Sequence, residues 1–389
     1  MITDFNQLKE AKFSIYLTDK GKELELELDA ANVADFAISW DYSDILVQGY
    51  ILFEDVFQYT EIIPVGNGFN LKVSLKDFFG NEFNKTFVVT KVTKQMQGQS
   101  SKLIAKLDFV DIYYNMLANT FLSKGFENKK STEILEDILK TGEKLLPDSS
   151  KIEVVKSDEE PIKQYVVKGS QSLLKELRQI QAEYNLLTVS NRSSITILPT
   201  NKISSCSPDF TGISVFSPNP TYEYSPFFVK TFDILGNNSF NHNIILPKCK
   251  TFNVTNKKIT KKEHSDETAH SNLGLSSTLT MKDGTEGLKI YPYKHSIFEG
   301  IYNTRLLESS SLGIEVNGMF SHNLLQKVKF DSNSTIEKLK GKMPFVNGTY
   351  YITKIIDRII GGSIFGQYIT ISRAGVEWWL LLYKNIQII

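Results

Sequence analysis

The side chains that could do chemistry are few and loosely grouped. Glu263, Asp266, Glu267 and Glu286 are the nearest thing to a carboxylate cluster, the residue type that glycoside hydrolysis uses as an acid–base pair. They lie in a mixed, loop-like run, and solvated loop positions account for them. Glu23, Glu25 and Glu27 alternate with Leu24, Leu26 and Leu28, which puts three carboxylates on one face of a strand. Nothing nearby would push one of these carboxyls away from another in pKa, and acid–base work needs that separation. The histidines (His242, His264, His270, His295, His322) never fall at a metal-ligand spacing on a helix; His264 and His270 lie in a polar loop. Cys206 and Cys249 are too few and too distant for a disulfide framework or a zinc knuckle. Between Lys248 and Lys262 there are six lysines and no acid. With no glycine-rich phosphate loop and no interleaved aromatics, that run reads as a solvated loop face, with protein docking as the next reading. No catalytic residue, cofactor or metal is therefore expected, and the chain is not expected to be an enzyme.

One stretch has binding chemistry instead. In Val376–Ile389, nine of the fourteen residues beyond Val376 itself are large and apolar or aromatic. That is too short for a membrane span and too apolar to be left in water. Either it packs on its own subunit or it anchors a neighbour, in which case Trp378, Trp379, Leu380 and Tyr383 are the partner-docking candidates.

The rest of the chain supplies scaffolding. Residues 12–110 hold seven extended runs (Lys12–Thr18, Glu23–Asp29, Phe36–Asp41, Val47–Asp55, Phe69–Lys76, Lys85–Gln95 and Ser101–Phe109) punctuated by Gly, Asn, Asp or Ser. They predict a small barrel or sandwich. After an aromatic connector (Tyr113, Tyr114, Phe121, Phe126) the apolar period becomes helical. Ser131–Leu146 carries Ile134, Leu135, Ile138, Leu139, Leu145 and Leu146 on one stripe with Ser131 as N-cap and Pro147 as stop, and Ser170–Tyr184 carries Leu173, Leu174, Leu177, Ile180 and Tyr184. A hairpin, Leu186–Ser190 and Ser194–Leu198 around Asn191-Arg192, completes an α/β module. Strand character returns from Tyr224 to Leu246, Tyr293–Ser309 reads as a helix, and Gly313–Gly318, Leu325–Phe330 and Pro344–Gly375 form a meander turning at Gly361-Gly362. In that meander Tyr351, Thr353, Ile355 and Asp357 are expected on one face, Ile352, Lys354, Ile356 and Arg358 on the other.

The fold class is thus mainly β (β+α), two similar antiparallel β-barrels with an α/β module between them. The expected division is 1-113 for the first barrel, 114-205 for the module, 206-252 and 304-375 for the second barrel, 253-303 for an insertion in it, and 376-389 for the apolar tail. Most strands of residues 12–110 should superpose in order on 222–252 plus 304–375. At 389 residues, 41% hydrophobic, the chain can bury more than one core. Its 44 basic and 44 acidic side chains cancel, so no global field favours nucleic acid or a membrane, although residues 1–50 hold ten acids against four bases. The start, MITDFNQLKEAKF, does not read as a secretory signal, and no window reaches the length of a membrane span; folding in a cytoplasm is expected.

Barrel, module, then interrupted barrel is an order that resembles the baseplate hub proteins of contractile-tailed bacteriophages, the adaptors between tail tube and spike. These are related to the hub part of type VI secretion spike and late-control-D proteins. The resemblance is carried by Leu103–Phe109, by STEILEDILK, by VKGSQSLLKELRQIQAEYNLLTVSNRSSITILP, and by GIEVNGMF with FVNGTYYITKIIDRI and GQYITISRAG. It implies a homotrimer whose paired barrels make a pseudo-sixfold ring, meeting the tail tube on one side and a trimeric spike on the other. It also implies contacts with the tape measure and baseplate wedge proteins, DNA only in passage through a channel, no membrane insertion, no cofactor, and a place in the virion tail baseplate after assembly in the bacterial cytoplasm. Ring pairing of sheet edges would also solve the exposure of edge strands. The alternatives are a receptor- or glycan-binding tail protein and the hub of a type VI-like secretion spike. A wall-degrading hydrolase would need a module for which no segment is left over.

Overall fold

The computed structural model describes residues 5–19, 22–56, 58, 60, 69–97, 102–142, 151–155, 160–192, 194–205, 214–219, 225–235, 249–255, 258–264, 307–308, 310–332 and 346–373. The seven expected N-terminal strands all form: β1 (Glu10–Asp19), β2 (Lys22–Leu28), β3 (Val33–Asp41), β4 (Asp44–Glu54), β5 (Asn70–Lys76), β6 (Glu82–Gln97) and β7 (Lys102–Asp111). Each alternates apolar and polar residues, as in β5, where Leu71, Val73 and Leu75 are buried and the residues between them are not.

The module follows. The aromatic connector is not a plain link, because Asp111 caps a short helix α1 (Ile112–Asn119), its carboxylate accepting from Tyr113 N at 2.9 Å. Strand β8 (Lys124–Lys129) leads to α2 (Ser131–Lys140). The N-cap of α2 is Lys130 rather than Ser131: Glu133, three residues inside, takes the Lys130 N–H at 3.0 Å, and Ser131 is left fully buried in the first turn. Strands β9 (Lys151–Val154) and β10 (Ile162–Val167), α3 (Leu173–Tyr184), and the hairpin β11 (Leu186–Ser190) with β12 (Ser194–Pro199) complete it. Helix α3 ends at Asn185 in the left-handed conformation, φ 54°. The α2 and α3 stripes expected from the sequence meet in one apolar cluster with Tyr113, Phe126 and Val167.

Beyond the module lie β13 (Ser214–Phe216), β14 (Val229–Leu235), β15 (Cys249–Thr255), β16 (Lys258–His264), β17 (Ser310–Asn317), β18 (Lys327–Phe330), β19 (Gly348–Ile360) and β20 (Ile364–Arg373). The lysine-rich run expected as a loop is a two-stranded hairpin, β15 with β16, since Thr251, Phe252, Val254, Ile259 and Thr260 supply enough β-forming residues to pair in register. The Tyr293–Ser309 helix expectation falls outside the described residues except at Leu307 and Glu308.

The two β regions repeat one another. In the first, the sheet order is β3-β4-β7-β6-β5-β1; in the second it is β14-β17-β20-β19-β18-β13. All neighbours are antiparallel except β13 and β18, which run parallel. The irregularities repeat too. A bulge at Thr90 in β6 is matched by one at Thr353 in β19, and each threonine hydroxyl donates to a carbonyl across the hairpin, Thr90 to Asp108 O at 3.1 Å and Thr353 to Thr370 O at 3.2 Å. A bulge at Ala34 in β3 is matched at Lys230 in β14.

The expectation of two closed barrels needs correction. Among the described residues no strand pairing closes either region, and a single sheet runs from β14 to β2. The reason is the length of β19: its first residues pair with β18, and its second half, Lys354–Ile360, crosses to pair antiparallel with β3. Its turn into β20 seats on the first region. Gly362 has φ 68°, and a Cβ there would stand 1.9 Å from Ala30 O, so both the turn and the approach require glycine. Side chains from Phe13 through Ile371 accordingly form one continuous apolar core shared by the two regions.

The Thr353 bulge also corrects the expected faces of β19. Tyr350 and Ile352 point inward before it, then Thr353, Ile355, Asp357 and Ile359 after it. One inserted residue shifts the phase, so the strict alternation read from Tyr351 onward places Tyr351 and Ile352 on the wrong faces.

Candidate functional site: a buried joint and two sheet edges

Because the bulge turns Asp357 inward, a carboxylate sits on the core side of the strand that joins the two β regions, only 2% exposed at its side chain. It is fully partnered. Arg192, at the tip of the β11–β12 hairpin, reaches it with both terminal nitrogens, at 2.5 and 2.9 Å, in a bidentate fork. Trp40 Nε1 of β3 donates to it at 3.0 Å and Gln367 Nε2 of β20 at 2.7 Å. The guanidinium lies over the rings of Trp40, Phe83 and Phe320, 5.4, 5.9 and 5.2 Å from their centroids. One arginine of the module thus bolts together strands from both β regions.

The second layer is neutral and equally ordered. Gln367 Oε1 accepts from Met319 N at 3.1 Å, its amide nitrogen donates to Met319 O at 3.0 Å, and His322 Nδ1 lies 2.8 Å from the same Oε1. An amide oxygen can only accept, so Nδ1 carries the proton and Nε2, which has no hydrogen-bond partner, keeps its lone pair. Burial, the main cause, with help from the Arg192 charge, pushes the His322 pKa down to about 4, against the weaker upward pull of the Gln367 bond, Asp357 and Asp77. The backbone is tied in as well: Phe320 N donates to Asp77 at 2.9 Å, Arg192 Nε to His322 O at 3.2 Å, and Leu324 N to Asn191 at 2.8 Å. A second buried pair, Lys85 with Asp111 at 2.6 Å, holds α1 to β6, the ammonium 5.0 Å from the Trp40 ring centroid.

Every group in this joint is satisfied by protein or held neutral, apart from the free lone pair of His322. It positions segments and offers nothing a substrate could reach. An open groove of about 260 Å³ lies nearby, lined by Asp41, Tyr42, Leu235, Glu308, Ser311, Thr353, Lys354, Thr370 and Ser372. Its one pKa-shifted residue is Tyr42, whose hydroxyl, donating to Glu308 at 2.8 Å, is held protonated mainly by burial and then by that carboxylate. Among the described residues no cluster of His, Cys, Asp or Glu could hold a metal, and no helix is long and apolar enough to cross a membrane.

The sequence-expected docking residues Trp378, Trp379, Leu380 and Tyr383 lie outside the described residues, as do Asp266, Glu267 and Glu286 of the loose acidic group; Glu263 is in β16. Glu25 and Glu27 are exposed on β2, as a solvated strand face should be. The joint itself was missed. Arg192 reads as a turn residue, and the available signal was Asp357, a carboxylate at an otherwise apolar position of β19.

The repeated sheet with a module docked on it is a known arrangement. Over 93% of this chain and 98% of the other, it superposes with TM-score 0.58 and 14% identity on the 43 kDa tail protein of prophage MuSo2 from Shewanella oneidensis. The chain has a phage tail protein fold. A tail protein from Neisseria meningitidis MC58 matches at TM-score 0.59 and 9% identity over 94% of this chain and 97% of that one. A chain of the Francisella PdpA–VgrG complex matches at TM-score 0.52 and 12% identity, over 94% of this chain and 58% of that chain. No family model and no curated protein matches the sequence. The expected likeness to phage tail and VgrG-type spike proteins therefore stands at the level of the fold.

Proposed function

We propose that this protein is a structural baseplate hub, a trimeric ring of pseudo-sixfold symmetry that links a tail tube to a central spike and encloses the channel for tape measure and DNA. The observation that carries the reading is the duplication. One subunit holds two copies of the same strand order, welded edge to edge through β19 and β3, so three subunits present six tube-like units. A hexameric tube and a trimeric spike can then both be met by one ring. The function is mechanical, not enzymatic, and the buried Arg192–Asp357 joint suits it by fixing the angle between the two units. Residues 376-389 are the proposed anchor for a neighbour, through Trp378, Trp379, Leu380 and Tyr383. The place of work is the virion tail.

The test is low-resolution imaging of the purified protein together with its solution mass. A ring of three copies with an open centre is the expected result. A subunit that stays monomeric at tens of micromolar, or one that retains glycans by itself, would replace the hub reading with that of a receptor-binding tail protein.

A further inference from the structure

The junction inside the subunit has an unused counterpart. Aligning the Thr90 and Thr353 bulges sets Val89-Thr90-Lys91-Val92 of β6 on Ile352-Thr353-Lys354-Ile355 of β19. Aligning the Ala34 and Lys230 bulges sets Val33, Phe36 and Ile38 of β3 on Val229, Phe232 and Ile234 of β14. Non-bulge contacts agree with this mapping. Val89 N donates to Phe69 O at 2.7 Å and Ile352 N to Gln326 O at 3.0 Å, at matching places in the two regions. So do Asp55 N to Leu103 O at 2.8 Å and Gly318 N to Phe365 O at 3.1 Å.

Under this mapping, the half of β19 that reaches across to β3 corresponds to Lys91–Gln97 of β6. In β6 that half pairs with β7 on one side, and the pairing with β5 on the other side stops at Val88. The strand corresponding to β3 is β14, which among the described residues ends the sheet and pairs only with β17. Side-chain exposure tells the same story. Phe36 and Ile38 are 0% and 1% exposed, whereas their counterparts Phe232 and Ile234 are 38% and 64% exposed. Two large apolar side chains on an edge strand are what an absent neighbour would leave.

We propose that β14 of one subunit pairs antiparallel with Thr93–Gln97 of β6 in a second copy of this chain, repeating between subunits the β19–β3 junction found within one. The register follows from the mapping: Ile356 opposite Ser39, Asp357 opposite Ile38, Arg358 opposite Ala37 and Ile360 opposite Asp35 become Thr93 opposite Leu235, Lys94 opposite Ile234, Gln95 opposite Asp233 and Gln97 opposite Thr231. Such a contact is heterologous, a different patch on each side, so it propagates around an axis, and a rotation of one third of a turn per subunit closes it as the ring proposed above. The inference rests on the trimeric-ring reading and gives it a seam.

The test is a Gln95→Cys/Asp233→Cys protein, oxidised at native concentration and run on denaturing gels, beside mass measurement of the unmodified protein. Covalent dimers and trimers are expected, while either single variant, with only the native Cys206 and Cys249 besides, should stay largely uncrosslinked. Lys91→Cys/Asp233→Cys, displaced four residues or about 13 Å along the strand, should crosslink at least tenfold less. Ile234→Lys places an ammonium opposite Lys94 at a site exposed in the subunit, so it should leave melting of the monomer unchanged and weaken trimerisation at least tenfold. A trimer that forms without the 95–233 crosslink overturns the seam and leaves the ring. A crosslink that appears only after residues 377–389 are removed makes the chain's own tail the occupant of this edge and also overturns it. A protein that never trimerises removes ring and seam together.

Discussion

Replacing Arg192 by Met tests whether the joint holds the two β regions and the module together. The substitution keeps most of the stem that packs on Trp40, Phe83 and Phe320 but strips Asp357 of two of its four donors. The carboxylate left behind is 2% exposed and cannot be rehydrated without opening the joint. Breaking one side of such a buried pair costs about 3–5 kcal/mol, because the remaining charge is uncompensated. Neutralising both sides in Arg192→Met/Asp357→Asn removes that charge and keeps an acceptor for Gln367, so the double variant should recover about 2 kcal/mol relative to the sum of the single ones. For a chain of 389 residues, Arg192→Met should lower the melting temperature by roughly 4–6 °C. Calorimetry of the four proteins of the cycle measures the coupling, and limited proteolysis of the module against the sheet reports whether the joint has opened. If Arg192→Met melts within about 1 kcal/mol of the parent, or the double variant is no more stable than the sum predicts, the arginine does not bolt the regions together.

His322 gives the joint a pH limit. It folds neutral with a pKa of about 4 while an unfolded histidine titrates near 6.5, so the unfolded state binds the extra proton between those values and stability falls as pH drops through that window. The loss is about 3 kcal/mol in full, and denaturant titrations of the parent and His322→Gln between pH 7 and pH 4 should show a steeper fall for the parent; parallel curves would remove histidine as the cause. Raised salt should leave the assembly intact by mass photometry, since the proposed seam joins subunits through sheet edges and shape rather than opposite net charge, and the Debye length shrinks to about 3 Å at 1 M. Removing residues 377–389 should give a protein that folds and trimerises but no longer captures spike, tube or tape measure in pull-downs. A truncated chain that melts much earlier, or one that keeps every partner, excludes the tail as an anchor.

The strands were legible because their side chains alternate with period two between turn residues, and the α2 and α3 stripes because their period is helical. What alternation could not reveal is an inserted residue. The bulge at Thr353 costs one position of phase and reverses the face of Tyr350 through Ile352 relative to everything after it. The same bulge turns Asp357 inward, so one inserted residue hides from the sequence both the faces of β19 and the buried carboxylate. Pairing between β19 and β3 was equally hidden, since residues more than three hundred positions apart leave no local signature; it depends on β19 being longer than the strand beside it.

Duplication also explains why the joint has no copy in the first region. At the position matching Asp357, β6 carries Lys94, and where the hairpin tip supplies Arg192 to one side only, a second buried carboxylate would have had no cation. Lys94 instead points its ammonium at Thr60 O, 2.8 Å away, and stays solvent-exposed. The two halves thus share a backbone plan and diverge where they meet unequal neighbours. Within the subunit the seam is sealed by a buried charge that demands one geometry. Between subunits the proposed seam presents Thr93, Lys94 and Gln95 on one side and Thr231 through Ile234 on the other, exposed residues that can wait in water for a second copy. A trimer assembled from separately folded chains suits that asymmetry, since a charge to be buried in the seam would have to be stripped of its water each time a subunit met its partner.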